Sequence, residues 1–215
     1  MIDLTNVTKT FASKTIFDKL NLHIETGEMV AIMGPSGSGK STLLNIIGLI
    51  DDFSSGTYEF DGAKNIKPNS RQANRTIREK ISYIFQNFAL IDDETVGQNL
   101  AIAQKYLKLN KAQRQKQIDD ALQTVGLNGY ADRKIFELSG GEQQRVAVAR
   151  CLIKPSKLIL ADEPTGSLDG DNRSLILNEL KNINRLGKTV IIVTHDPLVA
   201  KECSRTIAIG SSSEN

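Results

Sequence analysis

The chain has 215 residues and is 40% hydrophobic, which is enough to bury one sizeable core, so its length predicts one domain or one domain with a small appendage. The net charge of +2, from 27 basic and 25 acidic side chains spread along the chain, excludes the strong basic footprint of a typical nucleic-acid-binding protein. The longest apolar stretches are too short to span a membrane, so we expect membrane contact only through another chain. The cysteines, Cys151 and Cys203, match neither a metal site nor a disulfide framework, which fits a reducing cytosol.

The first part of the chain predicts short strands. Residues 2–4, 20–24 and 29–33 are β-like runs, and the second alternates apolar and polar residues, as a strand buried on one face does. Residues 56–62 predict a further antiparallel strand, because turn glycines bound the run at both ends.

The rest of the chain alternates between helices and strands, which predicts parallel strands joined by crossover helices and therefore an α/β fold. Residues 211–215 are polar and small, and we expect them to be disordered. In chain order, the other predicted elements are a helix beginning near residues 68–70, a strand at 81–85, polar helices over about 92–150 with one at 111–125, a strand at 157–162, a helix at 171–186 and a strand at 189–194.

A glycine-rich loop lies between the strand at residues 29–33 and an apolar helix-like run. Its spacing fits the G-x-x-x-x-G-K-[ST] pattern, in which backbone N–H groups curl around phosphates at a helix N-terminus. A flexible linker has a similar composition, but a linker would not sit between a strand and a helix. The lysine is expected to reach the β- and γ-phosphates and the following serine to bind Mg²⁺. The loop residues predicted to bind the nucleotide are Gly34, Ser36, Gly37, Ser38, Gly39, Lys40, Ser41 and Thr42.

Two carboxylates end the apolar strand at residues 157–162. Ligands of parallel sheets bind beyond the carboxyl ends of the strands, so Asp162 and Glu163 are expected beside the phosphate loop. We assign Asp162 to Mg²⁺, directly or through water, and Glu163 to the water that attacks the γ-phosphate. On its own, this segment has an alternative interpretation, a strand followed by an acidic turn.

A second glycine loop, with the sequence Leu-Ser-Gly-Gly-Glu at residues 138–142, leads into a helix. Ser139 can cap this helix, and Gly140 and Gly141 leave backbone N–H groups open to an anion. Alone, the segment is more typical of a plain turn with a cap. Together with the phosphate loop and the paired carboxylates, it resembles the signature of the nucleotide-binding subunits of ABC transporters.

The resemblance covers essentially the whole chain and implies a single ABC ATPase domain over residues 1–215. That domain would have a P-loop NTPase (RecA-like) core and an N-terminal antiparallel β subdomain, which together would occupy about 1–91 and 151–210. An inserted α-helical signature subdomain would occupy about 92–150. The resemblance also implies ATP and Mg²⁺ as cofactors.

Several isolated residues acquire roles from this resemblance. Gln86 matches the Q-loop glutamine, which contacts Mg²⁺ or the attacking water, and His195 matches the switch histidine expected to contact the γ-phosphate. Phe11 matches the aromatic position that stacks on adenine, where the family more often has Tyr. Residues 167–169 match the D-loop, a dimer-contact segment, whereas His23 matches no family position and is interpreted as structural.

The resemblance also implies partners and a location. We expect a head-to-tail homodimer in which each ATP lies between residues 34–42 of one chain and residues 139–141 of the other. We expect a separate transmembrane permease to dock near residues 87–150. The chain would then be cytoplasmic and peripheral on the inner face of the plasma membrane, with no nucleic-acid partner.

Within the family, the motifs most resemble the branch of lipoprotein-releasing, macrolide-efflux and cell-division ATPases, which includes bacteriocin and antimicrobial-peptide exporters. The main alternative is a soluble ABC-type ATPase of DNA repair or translation, which usually carries a coiled-coil insertion or tandem cassettes. A P-loop GTPase is disfavoured because residues 110–113, Asn-Lys-Ala-Gln, lack the aspartate of its guanine-binding motif. A non-hydrolytic ATP binder would have no need of Glu163 and His195.

Overall fold

The computed structural model describes residues 1–166 and 168–210, and it contains two β-sheets and a set of helices. The strands are β1 (Ile2–Phe11), β2 (Lys14–Ile24), β3 (Met29–Met33), β4 (Ser55–Phe60), β5 (Ala63–Lys64), β6 (Ile81–Ile84), β7 (Leu158–Asp162), β8 (Thr189–Val193) and β9 (Arg205–Ala208). The α-helices are α1 (Lys40–Ile47), α2 (Arg71–Lys80), α3 (Val96–Ala101), α4 (Lys111–Thr124), α5 (Gly140–Ile153), α6 (Gly170–Arg185) and α7 (Pro197–Lys201).

The antiparallel sheet has the strand order β2-β1-β4-β5. Its first two strands are longer than the sequence predicts, because bulges interrupt the alternation on which the prediction depends. The β1–β2 register shifts between Leu4 and Val7 and again on both sides of Lys9, and Asn6 adopts a φ of 51°. Each shift moves the next side chains to the opposite face, so the apolar pattern of one continuous strand looks broken.

The parallel sheet has the strand order β6-β7-β8-β3-β9, and all of its pairings are parallel. The predicted parallel strands and crossover helices are therefore confirmed. The hairpin strand β5, the short helix α7 and the edge strand β9 were not predicted. They are short elements of two to five residues, which carry too few residues for a periodic signal.

The parallel sheet is buried on both faces, as its continuous apolar strands require. One face, with Val30, Ile32 and Leu160, packs against α1 and the antiparallel sheet. The other face, with Ile159 and Ile192, packs against α5, α6 and the helices that precede α5. The helical segment therefore shares one apolar cluster with the core sheet.

Capping residues explain where the helices begin. Ser70, Asn110 and Ser139 each accept a hydrogen bond from the backbone N–H three residues later, which satisfies one of the free donors of the first turn. Gly126, with a φ of 68°, follows α4 in the left-handed conformation that glycine adopts most readily. The predicted starts of α2 and α4 are confirmed.

Two expectations fall outside the described residues. These are the disorder of residues 211–215 and the position of Ser167 in the predicted D-loop. Across residues 1–166 and 168–210, none of the helices combines the length and the apolar character that crossing a membrane requires.

Candidate active site

The predicted motifs meet at the carboxyl edge of the parallel sheet. Gln86 follows β6, Asp162 ends β7, His195 follows β8 and the phosphate loop follows β3. These four strands are consecutive neighbours in the sheet, and Ile84, Ala161 and Ile192 lie in register near their ends. Gln86, Asp162 and the phosphate loop thus line one cavity at the edge where parallel sheets bind their ligands. His195 lines a neighbouring pocket, which shares Glu163 with that cavity.

Glycines shape the phosphate loop because its backbone approaches other residues closely. Gly39 has a φ of 91°, and a Cβ at this position would lie 2.4 Å from Ile16 Cγ2. A Cβ on Gly34 would lie 2.2 Å from the carbonyl oxygen of Ile209. The side chains of β2 and the chain after β9 therefore press against the loop, and glycine is the residue that fits there.

Lys40 begins α1, and its side chain turns back across the loop. Its Nζ donates hydrogen bonds of 2.9 Å to the carbonyl oxygens of Gly34 and Pro35. The ammonium group is held against the loop in this way, and the first turn of α1 carries no acidic residue that would neutralise it. This is the charge arrangement that suits a phosphate.

A cavity of about 300 Å³ adjoins the loop. Oxygen donors from three motifs line it, namely the Ser41 hydroxyl, the Gln86 amide and the Asp162 carboxylate, and Glu163 lines it as well. Hydroxyl, amide and carboxylate oxygens are the ligands that Mg²⁺ accepts. The donor set therefore fits the predicted metal.

The Asp162 carboxyl group carries a further sign of a cation site. Burial raises its pKa above the usual value, while a hydrogen bond with Ser41 opposes the shift. Removing a carboxylate from water disfavours its charged form, and a bound cation compensates for that loss. This contact is consistent with the prediction that Ser41 and Asp162 bind the same Mg²⁺ ion.

Glu163 and His195 form a hydrogen-bonded pair. The distance between His195 Nδ1 and Glu163 Oε1 is 2.8 Å, and the His195 side chain is 72% exposed. Glu163 has a φ of 46°, in the left-handed region that non-glycine residues rarely occupy. Such a backbone conformation persists only where the surrounding structure holds it, and this agrees with the predicted role of Glu163.

The signature loop is built as a capping box at the start of α5. Ser139 donates from both its backbone N–H and its hydroxyl to Glu142 Oε2, each at 2.8 Å, and Tyr130 donates to Glu142 Oε1 at 2.9 Å. Ser139 and Gly140 are exposed. Among the described residues, the lining of the 300 Å³ cavity includes none of Ser139, Gly140 and Gly141.

A protein-family model described as "ABC transporter" matches residues 17–166, which include the phosphate loop, the signature loop and the paired carboxylates. The chain belongs to the ABC transporter family.

Two relatives of this ABC cassette illustrate the family. The chain is 44% identical over 209 residues to the macrolide export ATP-binding/permease protein MacB of Campylobacter jejuni, and it covers 33% of that protein's length. It is 42% identical over 213 residues to the ABC transporter ATP-binding protein YvrO of Bacillus subtilis, of which it covers 93%. Each alignment includes 97% of this chain.

Solved structures share the fold of the cassette. The ATP-binding cassette MJ0796, in a dimeric post-hydrolysis state bound to ADP and Pi, has a TM-score of 0.88 and 38% identity over all of this chain. That alignment covers 98% of MJ0796. The predicted α/β P-loop NTPase fold and the identification as an ATP-hydrolysing cassette are confirmed, and the soluble DNA-repair or translation alternative is not favoured.

Phe11 and His23 do not line the nucleotide cavity. Phe11 is 48% exposed, and Lys9 Nζ lies 4.2 Å from its ring centroid. Its stacking on adenine stays a prediction. His23 pairs instead with Asp3 and Glu25 on the antiparallel sheet, which agrees with a structural role.

Two further residues, which no sequence motif indicates, support the cassette site. Ile16 lines the cavity and packs against Gly39. Gln144 is buried on α5, and its Nε2 donates at 2.7 Å to the carbonyl oxygen of Pro164, directly after Glu163. Gln144 lies in a polar run, residues 142–145, so the sequence gives no signal for it, and only the packing reveals that Gln144 is buried while Gln143 is less so.

Proposed function

We propose that this cassette couples ATP hydrolysis to export across a membrane, as the ATPase subunit of a transporter. The single observation that carries the proposal is the convergence of Lys40, Ser41, Gln86, Asp162 and Glu163 on one cavity at the sheet edge. A phosphate-binding cation, a set of oxygen ligands and a candidate base are the components that phosphoryl transfer to water requires.

In the proposed reaction, Lys40 exchanges its bonds to the Gly34 and Pro35 carbonyls for oxygens of the β- and γ-phosphates. Glu163 orients the attacking water and accepts its proton as the water oxygen bonds to the γ-phosphorus, while the bond from that phosphorus to the β–γ bridging oxygen breaks and ADP leaves with the bridging oxygen. His195, already hydrogen-bonded to Glu163, is proposed to fix that carboxylate and to contact the γ-phosphate. Phe11 is proposed to stack on the adenine.

Ser41, Asp162 and Gln86 are proposed to hold Mg²⁺. When bound, the ion would neutralise charge on the phosphates, which lowers the barrier to phosphoryl transfer. The raised pKa of Asp162, caused by burial, supports this assignment.

The proposed active unit is a head-to-tail dimer. Ser139 and Gly140 are exposed at the start of α5, where N–H groups and the helix dipole favour an anion. Because they do not line the chain's own cavity, we propose that they bind the γ-phosphate of ATP held by a second copy. Reciprocal contacts of this kind close a two-fold dimer, and loss of the γ-phosphate would open it.

The permease is proposed to dock in a groove of about 360 Å³ between the sheet edge and the helical segment 92–150, which we interpret as the signature subdomain. Its wall includes Phe85, Ile102 and Tyr106, and the last two are 49% and 61% exposed. Arg78 also lines the groove, and no carboxylate does so among the described residues. An apolar segment with an acidic residue would fit this groove, and docking there would place the cassette on the inner face of the membrane.

The proposed branch is that of exporters of macrolides, peptides or lipoproteins. MacB supports it by its name, although the chain spans only 33% of that relative. The transported compound would be selected by the permease.

The experiment is purification of the tagged chain from membranes that contain its candidate permease, followed by ATPase assay. We expect a permease of exporter type to co-purify and to stimulate hydrolysis, and Ile102→Glu to abolish both effects while the isolated chain keeps its basal rate. Co-purification with an importer-type permease, or stimulation by DNA or ribosomes in place of the permease, would contradict the proposal.

A further inference from the structure

We propose that Arg150 is a positioning residue for hydrolysis, which acts by fixing the backbone of residues 86–91 and thereby the position of Gln86. Its guanidinium group donates to two consecutive carbonyl oxygens, with NH1 2.6 Å from Ala89 O and NH2 2.9 Å from Phe88 O. The inference rests on the proposed catalytic role of Gln86.

The clamped segment has a conformation that needs external support. Phe88 and Ala89 both have positive φ, at 62° and 49°, although neither is glycine. Two consecutive left-handed residues of this kind are held only where the surroundings determine them. The Arg150 guanidinium group holds these two residues in place, because its planar fork binds both of their carbonyl groups at once.

The other end of the segment is held independently. Buried Asn99 on α3 accepts from the Ile91 N–H at 2.8 Å and donates to the Ile91 carbonyl at 3.1 Å. Residues between Gln86 and Ile91 are thus fixed at two points, by Arg150 and by Asn99. Loss of the Arg150 clamp would free the half of the segment that carries Gln86.

Residues 86–91 lie between the nucleotide cavity and the 360 Å³ groove, so a change in their position would move Gln86 in the cavity. Gln86 lines the nucleotide cavity, whereas Phe85, Ala89 and Arg150 line the 360 Å³ groove on the other side. Arg150 also belongs to α5, the helix whose first residues form the signature loop. A Cβ on Gly140 would lie 3.9 Å from Phe88 Cζ, so the segment borders the signature loop as well.

The test is a double-mutant cycle on the full chain, with steady-state ATPase kinetics. Arg150→Met keeps the side-chain length and removes every donor, and Gln86→Ala removes the proposed target. We expect Arg150→Met to lower kcat about tenfold or more with little change in KM, since small displacements of a positioned group have effects of that size. In the Gln86→Ala background, we expect Arg150→Met to have no further effect on kcat.

Arg150→Lys and Lys188→Met provide the comparisons. Lysine keeps the charge but not the planar fork, so we expect an intermediate kcat. If Arg150→Met does not fold, the kcat of Arg150→Lys tests the clamp in its place. Lys188 donates to the carbonyls of Cys151 and Lys154, at the end of the same helix, without contacting residues 86–91. We expect Lys188→Met to leave kcat unchanged and Arg150→Met alone to accelerate hydrogen exchange of the amides of residues 87–90.

Three outcomes would overturn the inference. An equal fall in kcat on Arg150→Met in both backgrounds would show a general structural role. An unchanged kcat in Arg150→Met and Arg150→Lys, with Gln86→Ala impaired, would refute the clamp while leaving the proposed function intact. An unchanged kcat in Gln86→Ala would refute the proposed role of Gln86 and the inference with it.

Discussion

The phosphate loop and the signature loop are both glycine-rich turns that begin a helix, but the chain surrounds them differently. The phosphate loop is enclosed, because Ile16 and Ile209 approach Gly39 and Gly34 too closely for any side chain. In the signature loop, Gly140 is exposed and has ordinary contact distance to Phe88, and only the following Gly141 is buried, against Asn172. The polar neighbours of these glycines, Ser139 and Glu142, form reciprocal hydrogen bonds in a capping box.

This difference indicates two kinds of anion site. For the phosphate loop, the cavity, the Lys40 ammonium group and the oxygen ligands for a metal all belong to one chain. The signature loop has only the helix N-terminus, and hydrogen bonds from Ser139 and Tyr130 to Glu142 support it within the chain. We therefore expect substitutions in the first site to impair a single chain and those in the second to impair the assembly.

The largest expected effect concerns the carboxylate beside the phosphate loop. Glu163→Gln keeps the hydrogen-bonding shape but removes the base, so we expect ATP hydrolysis to fall by about 10²–10⁴-fold while ATP binding and ATP-dependent dimerisation persist. Single-turnover hydrolysis and size-exclusion chromatography with ATP measure these effects. Glu59→Gln, the same chemical change on the antiparallel sheet, is the matched control. Turnover near the wild-type rate in Glu163→Gln would exclude Glu163 as the base.

A matched pair of glycine substitutions compares the loops directly. Gly39→Ala must place a side chain at a φ of 91° against Ile16, so we expect a loss of about 1–3 kcal/mol in the free energy of unfolding and weaker nucleotide binding by the isolated chain. Gly140→Ala has room, and we expect a change within about 0.5 kcal/mol and unchanged binding. Denaturant unfolding and nucleotide titration distinguish them. Equal destabilisation by both would contradict the contrast between an enclosed and an open loop.

A smaller effect is expected from Glu142→Gln. Hydrogen bonds from Ser139 lower the pKa of Glu142, so its carboxylate stabilises the fold above the pKa of the unfolded chain. That contribution disappears as pH falls through the lower, folded-state pKa. Glu142→Gln should therefore lower Tm slightly at pH 7 and flatten the acid side of the stability profile, as thermal unfolding between pH 3 and pH 7 would measure. An unchanged acid profile would show that the capping box contributes little.

Sequence reasoning predicted the parts of the fold that carry a strong local pattern. The apolar runs of β3, β7 and β8 and the capped starts of α2 and α4 are of this kind. The bulged strands β1 and β2 were only partly predicted, because each register shift reverses the apolar alternation.

Among the site residues, too, those in a local sequence pattern could be predicted and the others could not. Residues in contiguous motifs, such as Lys40 and Asp162, could be assigned from spacing, whereas supporting residues depend on contacts across the fold. Arg150 lies 61 positions from Ala89 in the chain, and Gln144 lies 20 positions from Pro164. No local pattern pairs such residues, so only the packed structure identifies them.

The phosphate loop of one chain is proposed to work with the signature loop of another, and mixing of inactive subunits tests this shared site. Lys40→Ala disables the first loop, and Gly140→Asp disables the second by adding a carboxylate at the start of α5, where the fold has space for it. Each variant alone should be inactive. In an equal mixture, half of the dimers carry one complete site of two, so we expect about a quarter of the wild-type ATPase rate per chain. A mixture as inactive as its components, under conditions where mixed dimers form, would contradict the shared site.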